Sequence, residues 1–171
     1  MLAVRTRDQT LIRALIEVGA DVNAQTAYGD SALQAAVDAQ DPALVRLLAA
    51  SGADVSAVNV NLLTPLMYAI AVEGPQCVNM LRELCDAGAD VNQPDPLYGT
   101  TPLVWAANGD SVAVVKFLLE RGADVRATDG EGKTAFRRAM DSGQRQIALV
   151  LRRAEQARQG PLSSESGRRL K

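Results

Sequence analysis

Across 171 residues, 47% are hydrophobic and 22% charged, the proportions of one folded globular domain. Aromatics make up only 4%, so a core must come from Ala, Leu, Val and Ile, which suits close helix packing; a net charge of −2 argues against a nucleic-acid partner. No apolar run of about 18 residues predicts a membrane span, and MLAVRTRDQT has no stretch long enough for a signal peptide, so the expected location is the cytoplasm.

The tetrapeptide GADV stands at 19–22, 52–55, 88–91 and 122–125, a recurrence of 33 to 36 residues. A second marker follows each of its glycines by 12 or 13 residues: Ser31-Ala32-Leu33, Thr64-Pro65-Leu66, Thr101-Pro102-Leu103 and Thr134-Ala135-Phe136. Two fixed markers at this period predict a solenoid. Ser or Thr of the marker reads as an N-cap and, in the two Thr-Pro-Leu markers, Pro as the first helical residue. A short helix, a turn and a second helix follow, and the glycine of GADV ends the second helix by adopting φ > 0.

In chain order, residues 1–25 form a partial first unit. It keeps Ala3-Val4 but lacks the second marker, and its second helix carries an apolar face of Leu11, Ile12, Leu15 and Ile16. Residues 26–58 hold the next unit, with Leu44, Val45, Leu47 and Leu48 on the same face. The unit at 59–94 has three extra residues around Gly74-Pro75-Gln76. Pro75 fits the first helical position, which predicts a second helix one turn longer, with Cys77 joining Met80, Leu81, Leu84 and Cys85. On such a helix Cys77 and Cys85 are about 12 Å apart along the axis, too far for a disulfide, and read as reduced core thiols. The unit at 95–128 has one extra residue, assigned to Gln93-Pro94-Asp95-Pro96; its first helix is expected over 102–107 and its second over 111–121, with Val114, Val115, Leu118 and Leu119 inward. Residues 129–157 read as a C-terminal cap whose polar face comes from Arg137, Arg138, Arg145, Arg152 and Arg153. Residues 158–171 lack apolar periodicity and are expected to be a disordered tail. From 133 onward ten basic residues face three acidic ones, which fits a cap with a solvated tail or a dock for an anionic partner.

The motifs GADVNA (19–24), TPL and GADVN (88–92) resemble the ankyrin-repeat family over about residues 1–157. The resemblance implies an all-α solenoid of stacked helix–turn–helix units, with β-turn fingers projecting at right angles and a concave groove between fingers and first helices. The His that usually follows TPL in that family is replaced by Gln34, Met67, Val104 and Arg137, so its hydrogen bonds must be absent or remade.

Catalysis finds little support. The chain has no His, and its carboxylates sit largely in the repeated Asp of GADV. No phosphate-binding glycine loop is present, so no catalytic residue, metal or cofactor is assigned. Equivalent fingers fall at 26–30, 59–63, 96–100 and 129–133. Their fourth position is Gly except at Leu62, where φ > 0 would strain the backbone; either Asn61 takes that angle or the turn differs in type. Side-by-side fingers would align Tyr28 with Val60, Leu62 and Leu63 and then with Leu97 and Tyr98, an apolar stripe fit for a partner protein unless the leucines fold back onto neighbouring fingers. The ends of the first helices would add a row of Asp38, Glu73, Asp110 and Asp141. The expected binding residues are Tyr28, Asp30, Asp38, Val60, Asn61, Leu62, Leu63, Glu73, Leu97, Tyr98, Asn108 and Asp110. Tyr68 and Trp105 are equivalent and expected as core first, groove lining second. On the outer helices Arg13, Arg46, Arg82 and Lys116 form a basic column, neutralised by i,i+4 pairs Arg13–Glu17, Arg82–Asp86 and Lys116–Glu120. The functional expectation is a monomeric protein-binding module, unless the incomplete first unit pairs. The alternative is a spacer from the C-terminal part of a longer array, or a regulatory domain of a larger protein.

Overall fold

The computed structural model describes residues 2–158. Ten helices stack as five antiparallel pairs: α1 (Leu2–Arg5) with α2 (Gln9–Glu17), α3 (Ala32–Asp38) with α4 (Pro42–Ala50), α5 (Pro65–Val72) with α6 (Cys77–Asp86), α7 (Pro102–Ala106) with α8 (Val112–Glu120), and α9 (Ala135–Asp141) with α10 (Arg145–Arg158). First helices pack on first helices (α1 on α3, then α5, α7 and α9) and second helices on second helices from α4 through α10. The architecture is an all-α solenoid. Among the described residues, extended pairing is limited to the isolated bridges Gln25–Ser31 and Thr128–Thr134. No helix there is long and apolar enough to cross a membrane.

The markers work as capping chemistry. Ser31, Thr64 and Thr134 accept from the backbone N–H three residues on, and proline opens α4, α5 and α7. The GADV glycines sit at φ 88 to 96°, where a Cβ would be strained. One core runs the length of the stack through Leu33, Leu48, Leu66, Leu84, Leu103, Leu118 and Leu151. The Asn of GADVN ties units together: Asn23 donates to Gly52 O (3.0 Å) and accepts from Asp54 N (2.8 Å), and Asn92 does the same with Gly122 and Asp124. At the position of the missing His, Gln34 completes a capping box with Ser31 and donates to Leu63 O at 3.2 Å, so that bond is remade. Met67 and Val104 are instead buried apolar fillers.

Several expectations are corrected. The second helix of the third unit starts at Cys77, not Pro75; the extra residues lengthen α5 and widen the turn at 73–76, although Cys77 does join the buried face. The extra residue of the fourth unit lies inside the finger. Gly99 N bonds back to Asp95 O, four residues, where Gly29, Leu62 and Gly132 bond back three. On α2 only Ile12 is fully buried, while Leu11 and Leu15 are 44% and 40% exposed, because no hairpin covers that edge among the described residues. α10 runs through Arg158, whose guanidinium donates to Ala123 O, one residue beyond the expected cap. Residues 159–171, expected as tail, lie outside the described residues. Both cysteines are free; burial first, then the charge of Glu73, pushes the Cys77 thiol up to about 11.

The outer helices hold a different set of ion pairs from the one expected. Among the described residues Arg13–Glu17, Arg82–Asp86 and Lys116–Glu120 do not pair. Arg46 instead grips Glu83 of the next unit with two hydrogen bonds, one of 2.7 Å from Nε, and Arg121 reaches Asp86 at 2.7 Å. Arg82 and Arg121 both lie over the Phe117 ring, at 5.6 and 5.0 Å.

Candidate functional site: fingers and groove

Each finger is organised by one side chain at its first position. Thr26 Oγ1 accepts from Tyr28 N and Asp30 N; Asn59 Oδ1 from Asn61 N and Leu63 N; Asp129 Oδ1 from Glu131 N and Lys133 N. In the fourth unit Asp95 takes the role, accepting from Leu97 N (3.0 Å), Tyr98 N (2.6 Å) and Thr100 N (2.8 Å). These anchors were not singled out from the sequence. The signal was present, since all are Asp, Asn or Thr standing at the start of a turn, five or six residues before an N-cap. Burial pushes the Asp95 carboxyl up, but its hydrogen bonds outweigh burial and hold it below the ordinary carboxylate range. Asp129 is lowered in the same way, with Arg138 at 2.6 Å assisting.

Neighbouring fingers are stitched by backbone. Val60 N donates to Tyr28 O at 3.3 Å, and Gly130 N to Tyr98 O at 2.6 Å. A Cβ on Gly130 would meet Tyr98 O at 2.9 Å, so that contact requires glycine. The first finger is thus tied to the second and the third to the fourth, and on their tips Tyr28 (73% exposed), Val60 (61%), Leu97 (62%) and Tyr98 (66%) face outward.

The second finger answers the question of Leu62 in a way neither alternative anticipated. Leu62 itself adopts φ 61°, and its N–H donates to Asn59 O at 2.8 Å, the same closure the glycines make. Leu62 and Leu63 are half-buried, so they flank the exposed row without belonging to it. The strain of a leucine there is about 1–2 kcal/mol. Leu62→Gly is therefore expected to raise stability by up to about 1 kcal/mol, after the greater chain entropy of glycine is subtracted. A urea midpoint below that of the wild type would show that the Leu62 side chain contributes more by packing than it loses in strain.

The remaining expected residues separate into groups. Asn61 is exposed at the second tip, and Asp30 is half-buried within its finger, facing Asn59 Nδ2 at 3.5 Å. The acidic row is two columns. Asp38 and Asp141 follow their N-cap residues by seven positions, as does Asn108, whereas Glu73 and Asp110 follow theirs by nine. Asp38 accepts from Tyr68 Oη at 2.6 Å, and Asp141 is held by Lys133 and Arg137. Burial, and then Asp38, push the Tyr68 hydroxyl up to about 12, so it stays a donor. Tyr68 and Trp105 are both half-buried: Tyr68 packs against the core, as expected, whereas Trp105 lines the groove. Trp105 lines an open cavity of about 840 Å³ with Leu97, Tyr98, Asn108, Glu131 and Arg138. Its charges are internally matched: Arg138 pairs with Asp129 and Glu131, and Lys133 with Glu131. Such a surface offers aromatic and apolar contact with fixed polar edges. Among the described residues no group of three or more His, Cys, Asp and Glu is placed to hold a metal ion.

Comparison with known proteins agrees with this architecture. The family pattern described as Ankyrin repeats (3 copies) matches residues 1–95 and 71–159. Ankyrin repeat and SOCS box protein 6 of Homo sapiens is 43% identical over 68 residues, covering 36% of this chain and 16% of that protein. The 85/88 kDa calcium-independent phospholipase A2 of Rattus norvegicus is 36% identical over 61 residues, 36% of this chain and 7% of the enzyme. The E3 ubiquitin-protein ligase hecd-1 of Caenorhabditis elegans is 38% identical over 77 residues, 43% of this chain and 3% of the ligase. The chain thus spans less than a fifth of the length of each of these relatives.

Proposed function

The chain belongs to the ankyrin-repeat family, and from that premise we propose that it is a protein-binding module whose partner docks on the finger tips and the groove behind them. The observation that carries this reading is the set of Tyr28, Val60, Leu97 and Tyr98, exposed on fingers held by their own anchors and tied in two pairs, first to second and third to fourth. Large apolar and aromatic side chains held outward on rigid backbone lose little entropy on binding, and tyrosine is favoured where binding energy concentrates. Matched charges around the groove favour recognition by shape and apolar contact. The reading is of binding without chemistry, in the cytoplasm.

Capture from a cell extract, followed by mass spectrometry, tests it. Leu97→Ser with Tyr98→Ser is expected to abolish capture while the melting curve stays within about 0.5 kcal/mol of wild type, because both side chains are largely exposed. Undiminished capture would reject the finger row. Leu62→Ser with Leu63→Ser, in contrast, is expected to lower stability, since both are half-buried.

One observation favours a second reading, a spacer within a longer array. Leu11, Leu15 and Val18 leave an open apolar edge on α2, at positions that the stack covers in every later hairpin for the equivalents of Leu11 and Leu15.

A further inference from the structure

A second cavity lies at the opposite end of the first helices. The fingers precede the N-termini of α5 and α7, whereas this cavity, of about 200 Å³, sits past their C-termini. Ile70, Cys77, Ala106 and Val114 line its apolar part; Glu73 and Asp110 line its polar part. Both acids follow their N-caps by nine residues in consecutive units, and both border this cavity. A Cβ built on Gly109 would lie 3.5 Å from Glu73 Oε1, which places that carboxylate over the residue next to Asp110.

The extra residues of the third unit build this feature. Glu73, the C-cap of α5, is held at φ 52°, and Gln40 Nε2 of the preceding unit donates to its carbonyl at 2.8 Å. Gly74 follows at φ 123°, a backbone angle that favours glycine, and the end of the Gln40 side chain packs over it, 2.5 Å from where a Cβ would stand. Among the described residues neither Glu73 nor Asp110 takes part in an ion pair. A small apolar cavity with two exposed carboxylates at its rim is complementary to a side chain with an aliphatic stem and a cationic head.

We infer that this cavity receives a lysine or arginine side chain of the docked partner protein. The inference rests on the binding reading above: a partner lying along the first helices from the finger bases must cross about 12 Å, the length of α5, to place a side chain here. The stem packs against Ile70, Ala106 and Val114, and the head meets Glu73 and Asp110.

Amide-resolved NMR titration of the folded chain tests the cavity without needing the partner, so its failure and failure of the finger row are distinguishable. The probes are Nα-acetyl-lysine methylamide and its norleucine counterpart, which has a stem and no charge. The lysine probe is expected to shift the amides of Gly74, Gly109 and Ser111 with a Kd on the order of millimolar, as suits so small a ligand. The norleucine probe should bind at least about tenfold more weakly, and Glu73→Gln with Asp110→Asn should reduce lysine binding to that level. Asp110→Asn alone serves if the double variant melts lower, with an intermediate loss expected. Equal binding of both probes, absence of shifts at these amides, or an unchanged lysine affinity in the variants would overturn the assignment. Spermidine saturating the same amides at concentrations far below the lysine probe would overturn the choice of a protein side chain as occupant.

Discussion

Leu118→Ala is expected to destabilise the chain by about 2–5 kcal/mol, whereas the same substitution at Leu15 is expected to cost less than about 1 kcal/mol. The two leucines hold one position in the repeat, four residues before the GADV glycine. Their surroundings differ. Leu118 is fully buried on α8, which packs against both α6 and α10, while Leu15 is 40% exposed on α2. Truncating Leu118 removes its transfer free energy and leaves a cavity that flanking helices can only partly close. Truncating Leu15 removes side chain that solvent already reaches. In a solenoid each unit contacts only its neighbours, so a side chain contributes according to how many neighbours cover it. Against a typical total of about 5–15 kcal/mol, the Leu118 loss is large enough to read directly as a shift of the urea midpoint. Equal losses at the two positions would mean that burial by stacking does not set the stability of this chain.

Removing the carboxylate of Asp95 is expected to have the second-largest effect, and its pH dependence distinguishes it from an ordinary packing defect. Asp95→Ala deprives three backbone N–H groups of their acceptor, at a cost of about 1–2 kcal/mol. Asp95→Asn should cost less, because Asn59 organises the second finger in the same position with one amide oxygen. The folded chain holds the Asp95 carboxyl below its ordinary range, so the charged form is favoured on folding. That contribution is fully present above the unfolded value of about 4 and is lost as pH falls through the depressed folded value. Asp95→Asn is therefore expected to flatten the decline of stability below about pH 4, with the other lowered carboxyls, Asp54, Glu83, Asp129 and Glu131, keeping part of the acid sensitivity. Denaturation curves at a series of pH values check this, and a slope identical to wild type would show that Asp95 titrates alike in both states.

Residue identity carries the hairpins plainly. Caps at Ser31, Thr64 and Thr134, prolines at the first helical position and glycines at φ near 90° are local chemistry, and a period near 33 repeats the message four times. What depends on neighbours one unit away was less legible. Arg46 has no acidic neighbour three or four residues away, and its partner is Glu83, 37 residues on. Leu62 sits at a positive φ because Asn59 fixes the turn around it, and its own side chain opposes that angle. Turn lengths could be counted but not placed: one extra residue entered the finger at 96–97, and three others opened the turn at 73–76 without lengthening α6 by a turn. For the site, the outward row of Tyr28, Val60, Leu97 and Tyr98 was readable from finger spacing. The half-burial of Leu62 and Leu63 was not, since it depends on how the turn closes, whereas the two acidic columns follow from counting seven or nine residues past each N-cap.

The central claim is that this stack presents its finger tips to a partner protein. Hydroxyl-radical footprinting of the chain alone and with the captured partner tests it most directly, because Tyr28, Leu97 and Tyr98 are exposed and reactive. Strong protection of those three is expected, with no change at Met140 and Leu149, which are also exposed. Protection confined to the outer helices, with the finger tips still oxidised as in the free chain, would contradict it.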